Sequence, residues 1–128
     1  MELQIGDLCV IPYKSGTYVG KYMERSANSP RAVVMILAVL EHPMQGDLHH
    51  PYETEVPLFH ERKASAYQEQ VLVPIGTMRA YEGEMPDYSA SLRSSFEKYF
   101  SEMNRRGDEY GQRSAEQLEK LKQEYGWE

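Results

Sequence analysis

The sequence predicts an α+β protein: a small SH3-like or Tudor-like antiparallel β-barrel over residues 1–83, then a C-terminal α-helical extension of one or two helices over residues 84–128. Three observations carry that expectation. Residues 1–81 break into short β-branched and aromatic runs punctuated by Gly, Ser, Asn and Pro, the pattern of strands and turns. After Pro86 the apolar spacing becomes i, i+4, i+7 and i+8, which marks one face of a helix. The chain has 128 residues and one cysteine, so it suits one domain, or a small one with an appendage, whose core holds without disulfides.

The elements follow in order. Leu8, Val10 and Pro12 alternate with Cys9, Ile11 and Tyr13, as on a half-buried strand. Lys14, Ser15, Gly16 and Thr17 supply turn residues, and residues 18–22 resume as a strand. Gly20 inside that strand predicts a bulge or a sharp coil of the sheet. "RSANSPR" is a loop by composition. The run "AVVMILAVL", residues 32–40, predicts a strand buried on both faces, with Val33, Val34, Ile36 and Val39 favouring strand over helix. Residues 41–62 form a long irregular connection holding all 4 histidines. "KASAYQEQVLV" predicts one bent strand or two short ones, and "PIGTMRAYEG" a Pro-led turn with a last short strand ending in an aromatic.

In the extension, Leu92, Phe96, Tyr99, Phe100 and Met103 share a helical face. Asp87 or Ser89 can cap its start and Gly107 its end. A second helix is expected from Asp108 or Ser114 to Tyr125, with Leu118, Leu121 and Tyr125 on a narrow apolar face. A helix this short is marginal alone in water, so it must pack on the first helix, on the barrel, or on a partner; a homodimer through these helices fits the same pattern.

Charge narrows the function. The net charge is -6 with a pI near 5.3, and the closest basic pairs, Arg62-Lys63 and Arg105-Arg106, have acids nearby. Nucleic-acid affinity rests on clustered Lys and Arg, so no nucleic acid is expected, and a nucleic-acid-binding barrel is a remote alternative. The longest apolar run is well short of the about 20 residues a membrane span needs. Cys9 follows "MELQIGDL", without the apolar leader a lipidated cysteine requires, so it reads as a strand residue. The expected setting is cytoplasmic, peripheral to a membrane only through a partner.

The histidine segment poses the functional question. Asp47 and His49 could lie on one side and His42 and His60 could approach if the loop folds back, and a metal-dependent or histidine-based enzyme using residues 42–60 is the alternative reading. The spacing matches no metal signature, because adjacent His49 and His50 point to opposite sides of an extended chain. Nucleophilic catalysis needs a Ser or Cys with a histidine base held by an acid, and no such arrangement or glycine-rich phosphate loop is visible. The favoured reading is non-enzymatic, with no metal and no cofactor. The histidines then serve as loop architecture and as a contact surface. Tyr13 and Tyr18, with Tyr22, Tyr52 and Tyr81, stand where tyrosines of an SH3-like barrel line a peptide groove.

The runs "HPMQGDLHHP", "EVPLFHERKASAYQEQ" and "MPDYSASL" resemble the kinase-associated protein B family of spore-forming bacilli, and the similarity extends over nearly the whole chain. The resemblance implies an antiparallel sheet with a helical region, no enzymatic activity and no cofactor. It also implies an accessory protein needed for activity or expression of a membrane sensor histidine kinase that feeds the sporulation phosphorelay. Its motif positions His42, Gln45, Gly46, Asp47, His49, His60, Glu61 and Arg62 are expected to form a shared surface or structural network. Apart from Gly46, these residues together with His50, Tyr13 and Tyr18 make up the expected partner-binding set. Ser65 departs from the larger apolar residue expected there, so that edge should pack differently.

Overall fold

The computed structural model describes residues 3–25, 27–47, 49–56 and 59–127. Five strands come first: β1 (Leu8–Tyr13), β2 (Gly16–Glu24), β3 (Arg31–Glu41), β4 (Gln70–Pro74) and β5 (Arg79–Ala80). Two helices follow, α1 (Tyr88–Arg106) and α2 (Glu109–Glu124). The strands form one sheet in the order β4-β3-β2-β1-β5, antiparallel at each pairing. This is the expected α+β arrangement, with two helices rather than one.

β1 and β2 pair with Tyr13 opposite Gly16, which leaves only Lys14 and Ser15 in the loop, at φ 45° and 68°. Two successive positive φ values are the mark of a type I′ turn, whose twist matches the flanking strands. Gly16 and Thr17, expected in the turn, therefore belong to β2. The register of β2 against β3 shifts between Val19 and Gly20, the bulge that Gly20 predicted. A Cβ there would overlap Val34 Cγ1 and the Met35 carbonyl oxygen.

β3 was expected to be buried on both faces. Ala32, Val34, Ile36 and Ala38 are buried, but the alternating Val33, Met35 and Leu37 are only half covered. Two consecutive residues, Ala38 and Val39, are both buried at the end where the Val39 N–H donates to Ser91 Oγ of α1 (3.0 Å). The second face is thus closed where the helix lies on the strand. Residues 63–69, expected to be extended, are irregular. A turn joins the Glu69 N–H to the Ala66 carbonyl (3.1 Å), and Gln68 takes φ 67°, which no strand accommodates. A 3-10 turn, Ile75–Thr77, led by Pro74, then carries the chain to β5.

The helix ends are built by side chains. Asp87 caps α1, accepting from the Ala90 N–H (2.9 Å), and Gly107 ends it at φ 73°. Asp108 caps α2 through the Gly111 N–H (2.8 Å), while Arg106 holds the same carboxylate at 2.9 Å. Of the two expected starts for the second helix, the earlier one is used. The helices do not stand apart from the sheet. Leu92 of α1 joins the core cluster of the sheet, and a second cluster unites Phe59 with Phe96, Met103, Tyr110, Leu118 and Leu121. Tyr125 and Trp127 pack against both.

Because the bulge has no room for a methyl group, Gly20→Ala should destabilise the protein by roughly 1–3 kcal/mol, read as a lower denaturant midpoint at unchanged slope. An unchanged midpoint would show that β2 and β3 slide apart without cost.

Candidate contact site

The connection after β3 is held by one buried amide. Gln45 is 2% exposed. Its Oε1 accepts from the Arg62 N–H (2.9 Å), and its Nε2 donates to the carbonyls of Arg62 (2.9 Å) and Pro43 (3.2 Å). The side chain thus pairs with Arg62 as a neighbouring strand would. Its backbone reaches the helices: the Gln45 N–H donates to Tyr99 Oη of α1 (3.0 Å), and its carbonyl accepts from Tyr110 Oη of α2 (2.9 Å). The two hydroxyls lie 3.3 Å apart. Since the Tyr110 proton points at Gln45, the Tyr99 proton is the one left for that contact. Burial, first among the causes, pushes the Tyr99 phenol well above its ordinary pKa.

His42 is 4% exposed and forms the second knot. Its Nδ1 lies 3.0 Å from the Pro43 carbonyl and its Nε2 2.9 Å from Tyr125 Oη, which accepts from the Ala64 N–H (2.9 Å). One proton arrangement satisfies all of these groups: Nδ1–H donates to Pro43, and Tyr125 Oη–H donates to Nε2. The ring stands edge-on to Phe96 at 5.4 Å and stacks on Tyr99 at 6.0 Å. Burial pushes its pKa down to about 4, against a smaller upward pull from the Pro43 carbonyl. At neutral pH it is an uncharged structural imidazole with both nitrogens engaged.

The remaining residues of the expected set separate from this interior. Gly46 N–H donates to the His60 carbonyl (2.9 Å), and Arg62 Nε donates back to the Gly46 carbonyl (3.0 Å), so 45–46 and 60–62 form a cross-linked neck. Asp47 is half-buried and folds the chain outward, its Oδ1 accepting from the His49 N–H (2.9 Å). His49 and His50 are exposed, with His50 Nδ1 3.9 Å from Glu53 Oε2. His60 and Arg62 are half-buried and Glu61 is exposed. Desolvation and then the neighbouring Glu124 carboxyl raise the Glu61 pKa. Tyr13 is half-buried beneath Lys14, whose Nζ lies 5.4 Å from the ring centre. Tyr18 is 1% exposed, and its hydroxyl accepts from the Ser65 N–H (3.0 Å).

The placement corrects part of the expectation. His42, Gln45 and Tyr18 belong to the expected partner-binding set, with His42 and Gln45 expected in a surface or a structural network; all three lie in the interior because their polar atoms are needed there by backbone that no strand or helix pairs. His42 and His60 do not converge with His49 on a common point. Among the described residues, no group of three or more His, Cys, Asp and Glu side chains is placed to hold a metal ion.

Residues that the sequence-based reading passed over complete the site. The helical period places Tyr99 and Tyr125 as apolar positions on helical faces, yet their hydroxyls are hubs. The available signal was that tyrosine, rather than Phe or Leu, occupies such a face, since a buried hydroxyl is costly unless bonded. Arg106 lies 5.1 Å over Tyr52 and 5.0 Å over Tyr110, and Arg113 covers Phe59 at 4.6 Å while donating to the Thr54 carbonyl. These contacts fasten the outer loop to the end of α1 through Arg106 and to α2 through Arg113.

Gln45→Ala leaves the Arg62 N–H and carbonyl without partners in a half-buried site and should cost roughly 2–5 kcal/mol, measured by urea denaturation. Gln45→Glu should recover little, because it removes the two Nε2 donations. His42 gives a pH signature. Its folded pKa lies below the unfolded value of 6.5, so below pH 6.5 the unfolded chain binds a proton that the native one refuses. Stability is therefore full above pH 6.5 and declines as the pH falls toward 4, by on the order of 3 kcal/mol from this group. The same slope in His42→Asn would show that another group is responsible.

Three similarities bear on this site. The family model for "Kinase associated protein B" matches residues 13–126, spanning the neck, the tyrosine hubs and both helices. Kinase-associated lipoprotein B of Bacillus subtilis (strain 168) is 46% identical over 114 residues, covering 88% of this chain and 87% of the relative. The crystal structure of kinase-associated protein B from Bacillus cereus superposes with a TM-score of 0.83 at 34% identity, over 98% of this chain and 99% of that one. The chain belongs to the kinase-associated protein B family.

Proposed function

We propose that this protein is a non-enzymatic accessory factor that promotes the activity or expression of a sporulation sensor histidine kinase through protein–protein contact. Family membership supports an accessory role beside a kinase. The observation that carries the contact reading is the division of the motif residues. His42 and Gln45 bond inward and build a rigid neck, while His49, His50 and Glu61 are displayed outward. A loop held rigidly at its base loses little entropy on binding. A histidine-based or metal-dependent enzyme would first have to release His42 from Pro43 and Tyr125.

Several features accompany this reading. The strand order and the 3-10 turn between β4 and β5 support an SH3-like description of residues 1–83. We take residues 84–128 as an extension that works with that unit rather than apart from it. A homodimer through the C-terminal helices would use the outer groove bounded by Phe100, Met103 and Ala115. We place the protein in the cytoplasm, at the membrane only through its partner. Among the described residues no helix is long and apolar enough to cross a membrane. Cys9 is fully buried with Sγ on the Gly20 carbonyl, and burial pushes its thiol pKa up to about 11, a poor setting for attaching a lipid.

The decisive experiment is surface plasmon resonance of the purified protein over the cytoplasmic region of the sensor kinase. Saturable binding is expected, and replacing His49, His50 and Glu61 together by Ala should weaken it at least tenfold without lowering the melting temperature. Unchanged binding would remove the outer loop from the contact. No binding, with kinase abundance in cells still dependent on the protein, would show that it acts on expression.

A further inference from the structure

A second surface lies away from the histidine neck, where the irregular segment 63–69 meets the entry of α1. Tyr67 and Tyr88, with Leu37 of β3, Met85 and Pro86, line a groove of about 560 Å3. The two rings stand 5.6 Å apart and tilted by 51°. Tyr67 is 52% exposed, yet the backbone that carries it is pinned by a set of hydrogen bonds and its ring packs on that of Tyr88. Its turn is closed by the Glu69 N–H on the Ala66 carbonyl (3.1 Å), by the Ala66 N–H on Glu69 Oε1 (2.9 Å) and by the Gln68 N–H on the Ile36 carbonyl (2.7 Å). Gln68 keeps φ at 67°, a left-handed conformation that a non-glycine residue adopts only when its surroundings impose it. Opposite, the Tyr88 hydroxyl is fixed on the Ser65 carbonyl.

Among the described residues that line the groove, the charged one is acidic. Asp87 lines it, Glu84 adjoins Met85 and Glu69 closes the turn that carries Tyr67, and no Lys or Arg is among the described residues that line it. Preformed aromatic grooves take extended, proline-rich segments, whose rigid backbone loses little entropy. Exposed tyrosine faces beside carboxylates attract a guanidinium or ammonium group. We propose that the groove formed by Tyr67, Tyr88, Leu37, Met85 and Pro86 docks a short extended segment of a partner protein, carrying prolyl or aliphatic side chains next to Arg or Lys. This deepens the protein-contact function proposed above and rests on it for the partner's identity, though not for the binding itself.

The probe is a fluorescein-labelled octapeptide of alternating proline and leucine ending in two arginines, titrated by anisotropy at low salt. Its counterpart ends in two glutamates. The arginine peptide should bind saturably, at least tenfold tighter than the glutamate one. Tyr67→Ala should weaken it at least tenfold at unchanged melting temperature. Glu69→Gln, which keeps the acceptor for Ala66, should weaken it a few-fold and flatten its salt dependence. Equal binding of the two peptides, indifference to Tyr67→Ala, or no binding of either would overturn the proposal. So would Tyr67-dependent self-association in sedimentation, since the occupant would then be a second copy. Tyr67-dependent peptide binding without any kinase binding would sink the kinase reading and leave the groove. Kinase binding with a peptide-blind groove would do the reverse.

Discussion

The carboxamide of Gln45, paired with the backbone of Arg62, is the contact on which the rest of the connection depends. Residues 42–69 join β3 to β4 without a helix or strand of their own among the described residues. Long structureless connections in compact domains are uncommon, because backbone N–H and C=O groups taken from water must find partners. Gln45 supplies them in both directions at once. Its side chain satisfies Arg62, and its own N–H and carbonyl are met by Tyr99 and Tyr110. Each helix is thereby tied to the loop and, through β3, to the sheet.

The same logic explains why the second core holds a histidine and several tyrosines. An apolar side chain at position 125 would fill space but leave the Ala64 N–H without its acceptor, and one at position 42 would leave the Tyr125 hydroxyl without its acceptor and the Pro43 carbonyl without its donor. The chain Ala64 to Tyr125 to His42 to Pro43 uses each donor once. A fully satisfied polar network of this kind fixes one arrangement where an apolar cluster would allow several. It also carries a vulnerability, since protonating His42 would remove the acceptor that Tyr125 needs.

The parts of the fold legible in the sequence are those whose cause is local. Asp87 and Gly107 mark the ends of α1 because capping is decided within four residues. Gly20 marks the bulge because only a missing Cβ lets β3 approach there, and Pro74 leads its turn with a fixed φ. The apolar face of α1 follows from its period. The strand expected at 63–69 failed because one turn, imposed by bonds to Ile36 and within 66–69, overrode an alternating pattern. Within the site, the histidine segment stood out in composition, but its inward and outward members were indistinguishable. Gln45 and Arg62 are 17 residues apart, and nothing in either residue type announces a side chain standing in for a strand. The groove at Tyr67 and Tyr88 was equally hidden, since it joins residues from three separate stretches.

The way the tyrosines are used bears on where a partner can bind. Tyr18, Tyr88, Tyr99, Tyr110 and Tyr125 direct their hydroxyls to backbone carbonyls, amides or each other inside the protein. Tyr52 is capped by Arg106. Tyr67 stands apart from both groups: its ring is exposed, and the geometry that displays it is fixed by backbone bonds around it. Immobilising an aromatic side chain on binding ordinarily costs about 0.5–1.5 kcal/mol, and a ring that already packs on Tyr88 above a pinned backbone avoids part of that cost. The rigidity that Gln45 and His42 give the interior therefore has an external consequence. The segment leaving the neck at Arg62 reaches Ala66 with Ala64 tied to Tyr125 and Ser65 tied to Tyr18 and Tyr88, so the position of Tyr67 is set by the same tyrosines that hold the core.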